Sequence, residues 1–335
     1  MNKSLPRLLT VLLLVVGGLF HVAPARAAGG ITCTSASMTP VSFGTVNPLS
    51  SLTTTTATLT YSCKNTDNKT HSATICFSIG EPGGAQTNPR QMSSGGNRLQ
   101  FQLYQDPGYT TVWGSEYFGT FLTPLRVNLT LGPDGSTSNA FATLYAQVLN
   151  GQTTTVAGSY TDNYQNGDTA ITVNDVQSGT APNSCGGANT GAYFPFLVSA
   201  TVQKNCTVAA NDLTFNAVAA GTATAPGNTT LSIACTANTP YTVGLLPLNV
   251  ASTTGAGTMK GETGGNTNTV QYQLYSNSTL SQVWGNTAAV GSTGNGVAGT
   301  GTGSAQALNV YAKTTSSTDV TPDTYTDTVQ VNVNY

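Results

Sequence analysis

Apolar and polar residues alternate along most of this chain with a period of two. The runs TATLTYSC (56–63), TICFSI (74–79), LQFQLY (99–104), RVNLTL (126–131) and TLSIAC (230–235) each place apolar side chains on one face and polar ones on the other. That is the pattern of strands with one face in a core. Gly, Pro, Asn and Asp turns separate the runs, and beyond residue 27 no stretch sustains a helical period. Short strands at such spacing predict an all-β protein built of β-sandwiches.

Several segments occur twice. CTSASMTPVSFGTVNPLSSLTTTTATLTYSC (33–63) is similar in length and design to CTVAANDLTFNAVAAGTATAPGNTTLSIAC (206–235). LQFQLYQDPGYTTVWG (99–114) matches VQYQLYSNSTLSQVWG (270–285), LYAQV at 144 recurs as VYAKT at 310, and GSYTD at 158 recurs as DTYTD at 323. Four matches in one order imply two copies of a domain, over about 28–203 and 204–335. The copies differ in how they finish. After SYTD the first continues to YFPFLVSATVQ (193–203), whose alternation predicts a further strand. The second closes on YTDTVQVNVNY (325–335), where Val329, Val331, Val333 and Tyr335 alternate with polar residues and no further strand follows. An edge of that kind exposes unpaired backbone groups and is expected to be either managed or matched by a partner.

Six cysteines allow fifteen pairings in principle. The repeat makes Cys33 with Cys63 and Cys206 with Cys235 equivalent pairs, which leaves Cys76 with Cys185. Each bridge contributes on the order of 3 kcal/mol in the loop-entropy account. No pair has C-x-x-C spacing, and no metal site or cofactor is expected.

Composition adds an address. Lys3 and Arg7 precede an apolar run at 8–20, and Ala25 and Ala27 sit where a signal peptidase cuts, so residues 1–27 read as an export signal with the mature chain starting at Ala28. The apolar run is shorter than the roughly 20 residues needed to cross a bilayer, and no later segment is apolar enough to span. Removal of Lys3, Arg7 and Arg26 leaves eight basic against thirteen acidic residues, a net charge of about −5. Nothing there suits nucleic acid or an anionic membrane.

The paired Cys segments, the QLY…VWG box and the closing YTDTVQVNVNY together resemble the spore coat protein U domain, the subunit type of archaic (Csu-type) chaperone–usher pili. The resemblance runs over essentially the whole mature chain, twice. It implies two immunoglobulin-like β-sandwich domains in tandem, the second lacking its final strand. It also implies partners: a periplasmic chaperone, an outer-membrane usher and an adjacent pilin subunit that donates a strand. Only five residues, Ala28 to Thr32, stand ahead of Cys33 in the expected mature chain, too few for a donor strand, so the expected place is the fibre tip at the cell surface, with attachment and biofilm formation as the function. A shaft or minor pilin subunit and a free secreted carbohydrate-binding module are the alternatives.

Two segments of the first copy are candidates for touching a host or abiotic surface. Where the second copy follows VWG with small residues, the first has SEYFGTFLTPLRV, adding Tyr117, Phe118, Phe121 and Leu122. Tyr164, Ile171, Val173 and Val176 lie on the segment that Cys185 anchors, although TAITVND also reads as a core strand. The assembly edge is expected along Val329, Val331, Val333 and Tyr335. Catalysis finds no support: there is no G-x-S-x-G, H-E-x-x-H or EF-hand run, GNGVAG (294–299) has no helix after it, and His71 reads as a solvated loop residue.

Overall fold

Alternation becomes strand throughout the computed structural model, which describes residues 30–50, 52–84, 87–117, 121–135, 137, 140–186 and 192–335. The expected export signal, 1–27, lies outside the described residues. Among them no helix is long and apolar enough to cross a membrane.

The first half contains β1 (Ile31–Met38), β2 (Val41–Val46), β3 (Thr53–Asn65), β4 (His71–Ile79), β5 (Arg90–Ser94), β6 (Asn97–Tyr104), β7 (Leu125–Leu131), β8 (Ala140–Val148), β9 (Gly158–Tyr164), β10 (Thr169–Gln177) and β11 (Phe196–Val202). A large sheet has the order β1-β3-β8-β6-β5-β9-β11-β2, and a small one the order β10-β4-β7. Between them lies a core that includes Leu59, Ile75, Phe77, Phe101, Trp113 and Phe194. The second half contains β12 (Cys206–Ala210), β13 (Gly227–Cys235), β14 (Pro240–Pro247), β15 (Ala256–Gly261), β16 (Thr269–Tyr275), β17 (Val297–Thr300), β18 (Gln306–Thr314), β19 (Tyr325–Thr326) and β20 (Val329–Asn334). Its large sheet runs β12-β13-β18-β16-β15-β19 and its small sheet β17-β14-β20, around a separate core.

The repeat is physical as well as textual. Trp113 donates its indole N–H to Phe77 O and Trp284 donates to Val243 O, both at 2.8 Å. Each tryptophan is buried and pins the irregular segment after its LY box against the central strand of the small sheet. A large ring with one satisfied donor suits that position. Disulfides join β1 to β3 through Cys33–Cys63, β12 to β13 through Cys206–Cys235, and β4 to the segment after β10 through Cys76–Cys185.

The halves differ at one place in the large sheet. In the first, β11 lies antiparallel to β9 and parallel to β2, filling the slot between them. Phe196, Val198, Ala200 and Val202 point inward and are buried, and the Phe196 ring stacks on Tyr164 at 4.4 Å. In the second, Leu213–Val218, the counterpart of β2, forms no ladder, and β19 is the outermost strand of its sheet. The closing segment 325–335 contributes to both sheets: β19 pairs with β15, and β20, where Val329, Val331 and Val333 alternate, crosses to the small sheet and pairs with β14. Two bonds hold that crossing, Asn249 N–H to Asp327 at 3.0 Å and Leu248 N–H to Thr328 O at 2.8 Å.

β11 therefore carries much of the first core. Phe196→Ala should cost domain 1 about 3–5 kcal/mol, the usual range for a buried ring. Denaturant unfolding followed with the two tryptophans as probes should show an earlier first transition and an unshifted second one.

Candidate attachment surface and assembly edge

β4 is buried on both faces along all nine residues. Ala73, Ile75, Phe77 and Ile79 face the core. Ser72, Thr74, Cys76 and Ser78 face the other way and are covered by two irregular segments. Residues 178–186 form a strap folded back over the small sheet, where Pro182 O accepts from Thr74, Ser184 O from Asn174 at 2.9 Å and Asn183 O from Arg126 at 3.3 Å. The disulfide from Cys185 to Cys76 rivets it to the middle of β4. The second cover is the loop 114–123, closed by Ser115 N–H to Phe121 O and Gly114 N–H to Thr123 O, both 2.9 Å. Its Glu116 N–H bonds Ser78 Oγ at 3.1 Å.

These covers hold the candidate contact residues. Tyr117 is 45% exposed and donates its hydroxyl to Gly186 O at 3.1 Å, so loop and strap form one surface. Leu122, at the far end of the same loop, is 69% exposed, while Phe121 is only partly exposed. Phe118 lies outside the described residues. On β10, Val176 is exposed and Val173 packs against the core. Tyr164 and Ile171 are fully buried, so the structure removes both from any contact surface: Tyr164 stacks under Phe196, and Ile171 pairs with Phe77 in the interior.

His71 also departs from expectation. It is no solvated loop residue but the first residue of β4, nearly buried, with Nδ1 2.5 Å from Asp175 and Nε2 2.9 Å from Asp67. With a carboxylate on each nitrogen the ring is held as imidazolium. The hydrogen bond to Asp67 leads in raising its pKa above the ordinary value, and the same contact lowers that of Asp67.

In the second half the exposed feature is an edge. Leu213 and Phe215 are half-buried against the core, and Val218 is 38% exposed where its counterpart Val46, covered by β11, is 3% exposed. Val329, Val331 and Val333 of β20 rest partly buried on the same core, and Tyr335 is exposed. The open side of the large sheet is thus walled by Leu213–Val218 and by residues 323–328, not by β20. Leu213, Phe215 and Val218 escaped the sequence reading, although aligning PVSFGTV (40–46) with DLTFNAV (212–218) carries the signal.

The two halves, so alike in sheet order and tryptophan anchoring, both match the model of the Spore Coat Protein U domain, over residues 18–165 and 192–332. The chain belongs to the Spore Coat Protein U domain family. Its fold is similar to that of a chain in the CsuC–CsuE chaperone–tip adhesion subunit pre-assembly complex from archaic chaperone–usher Csu pili of Acinetobacter baumannii. The TM-score is 0.50 at 17% identity, covering 90% of this chain and 100% of that one. The CupB6 tip adhesin from Pseudomonas aeruginosa aligns at 12% identity and TM-score 0.34, covering 91% and 96%. CfaE, the adhesive subunit of CFA/I fimbria of enterotoxigenic Escherichia coli, aligns at 9% and 0.29, covering 88% and 92%. At these identities the likeness is one of fold. No curated protein sequence matches the chain.

Inside the first spore coat protein U unit sits a buried charge cluster. The Arg90 guanidinium bonds Ile79 O at 3.0 Å, Trp113 O at 3.1 Å and the Gln102 side chain, and its Nε lies 3.4 Å from Glu81. Burial pushes Glu81 up to about 7 and Asp162 up to about 6, in each case against the pull of Arg90. Carboxyls whose pKa is raised on folding bind extra protons in the native state, so their stabilising share is full below the unfolded values and is lost as pH rises through the folded ones. The melting temperature of domain 1 should accordingly fall between about pH 5 and about pH 8. Asp162→Asn should flatten that slope in calorimetry; a melting temperature that rises over the same interval contradicts the assignment.

Proposed function

We propose that this chain is the terminal adhesin subunit of a chaperone–usher fibre, exported through the periplasm and displayed at the cell surface. Domain 1 is its attachment domain, at about residues 28–203, and domain 2, about 204–335, joins it to the fibre. One observation carries the reading: β11 completes the large sheet of domain 1, whereas the corresponding side of domain 2 is open between Leu213–Val218 and β19. An open side with an apolar wall suits β-strand addition, in which main-chain bonds supply affinity and alternate side chains fill the core. The strand would come from a periplasmic chaperone during export and from an adjacent subunit in the fibre, with an outer-membrane usher between the two steps. Family membership and the tip-adhesin-like fold support this assignment.

Attachment is assigned to the surface shared by the 114–123 loop and the strap. Tyr117, Leu122 and Val176 are the exposed apolar side chains there, and exposed apolar groups gathered on loops mark contact sites. Phe121 belongs to the same loop, and Phe118 is proposed with it as a neighbour in sequence.

Appending a flexible linker and an alternating apolar strand, unrelated to residues 194–202, to the C-terminus should turn an aggregation-prone chain into a soluble monomer. The melting temperature should rise by at least about 5 °C. Absence of any gain in monomer yield or melting temperature would remove the open-edge reading. For the surface, Tyr117→Ser combined with Leu122→Ser should abolish attachment while immunogold labelling still finds the subunit at fibre ends. Attachment at the original level would return these residues to a purely structural role.

A further inference from the structure

Where the two domains meet, the repeat departs from itself at a position its hydrogen bonds identify. In domain 1, Thr137 N–H bonds Cys63 O at 2.9 Å; in domain 2, Gly303 N–H bonds Cys235 O at 2.9 Å, so the two residues hold one place in the plan. Thr137 also turns its hydroxyl back onto Cys63, accepting from the Cys63 N–H at 3.1 Å. Gly303 has a φ of +77°, in the left-handed region that favours glycine, and a Cβ there would stand 1.8 Å from Thr153 O of domain 1. Val156 and Ala237 form a parallel β-bridge across the same boundary. The turn after β3 carries charge, with Asp67 and Lys69 ahead of His71, whereas the turn after β13, residues 236–239, carries none, and its Thr236, Ala237 and Thr239 are buried.

We propose that this boundary is a built seat: the 149–157 loop of domain 1 docks on residues 236–239 and 301–303 of domain 2 and fixes the two domains as one rigid body. Units joined by a free linker are expected to move relative to each other. Three features oppose that motion here. The docking loop is stiff, because the Gln152 side chain donates to Leu149 O and Gln100 O, both at 2.8 Å, and accepts from Gln100 N–H at 2.5 Å, while Val156 O accepts from the buried Tyr160 hydroxyl at 2.8 Å. The linker 203–205 is bonded at both ends to Thr236, which gives its hydroxyl to Gln203 O at 3.3 Å, accepts from Asn205 N–H at 3.0 Å and donates its own N–H to Asn205 O at 2.9 Å. At Gly303 the domains meet backbone to backbone, with no flexible side chain between them to yield. The two cores stay separate, so the seat sets orientation rather than the stability of either domain. The docking loop leads into the start of β9, whereas the 114–123 loop adjoins the turn at its other end, where Gly114 O accepts from Ile79 N–H at 2.9 Å and Ile79 faces Thr169. Domain 1 is thereby a stiff extension of domain 2 that holds its far loops at a fixed angle, whatever those loops contact.

The test is a distance measurement by pulsed EPR on the mature full chain. Nitroxides are carried on ketone-bearing unnatural residues in place of Phe141 in domain 1 and Val290 in domain 2, both exposed, which leaves the three disulfides untouched. The expected result is a single narrow distance distribution. Gly303→Val, which drives Thr153 away, and Ala237→Arg, which brings a long charged side chain into the same boundary, should each move the mean by several ångströms or widen the distribution. Both variants should keep the unfolding transitions reported by Trp113 and Trp284, because neither residue belongs to a domain core. A broad distribution in the parent chain overturns the inference. So does the parent distribution retained in either variant that still folds, and if one variant loses its domain 2 transition the other decides.

Discussion

The backbone hydrogen bonds at the edge of a β-sheet are the constraint on which this molecule turns. Every strand leaves a row of donors and acceptors on each side, and a row that meets neither water nor another strand costs free energy. Domain 1 meets the demand from within: β11 takes one row from β9 and another from β2, and closes the apolar gap below with Phe196, Val198, Ala200 and Val202. Domain 2 has the same architecture up to β19 and leaves the row and the apolar wall to be met from elsewhere. The difference between a closed unit and an open one is thus a single strand of seven residues.

That strand also joins the units. Only Gln203–Asn205 separate β11 from β12. Two small contacts add to the junction: Val156 bridges to Ala237, and Gly303 approaches Thr153 O so closely that a Cβ there would stand 1.8 Å from it.

On the other face of domain 1 a different problem is solved. β4 has serine, threonine and cysteine on its outward side, groups that need partners once covered. Strap and loop supply them, with Pro182 O for Thr74, Glu116 N–H for Ser78 and Cys185 for Cys76. The covering segments are then free to expose Tyr117 and Leu122, since a disulfide and hydrogen bonds, not apolar packing, hold them down. Nearby, a half-buried aspartate at equivalent positions of the two halves, Asp162 and Asp327, is served in two ways. In domain 2, Asp327 accepts from the Tyr272 hydroxyl at 2.8 Å, and the facing residue is Gly257, where a Cβ would strike that ring. In domain 1 the ring is Phe101, the facing residue is Arg90, and the guanidinium supplies the charge near Asp162. A small residue facing a hydroxylated ring in one half corresponds to a large charged residue facing a plain ring in the other, at the same register of the strand pair.

Much of this was legible in the residues. Period-two alternation predicted the strands, because a pleated strand with one buried face admits no other pattern. The repeat predicted two units and the cysteine partners, because equivalent sequences build equivalent contacts. What alternation could not tell was which sheet a strand joins: Asp327 and Thr328 turn the closing segment from the large sheet at β19 into the small one at β20. Nor could it tell which alternating residues lie under a neighbour. Tyr164 and Ile171 on one side, and Tyr117 and Leu122 on the other, look alike as apolar side chains, and only the stacking of β11 and the path of the strap separate core from surface. His71 shows the same limit, its loop-like surroundings in sequence giving way to two carboxylates, Asp67 four residues before it and Asp175 more than a hundred after. The sequence by itself determined the local strand pattern and the twofold plan. Tertiary structure alone decided sheet membership, burial and which residues wall the open edge, because those depend on contacts between residues far apart in the chain.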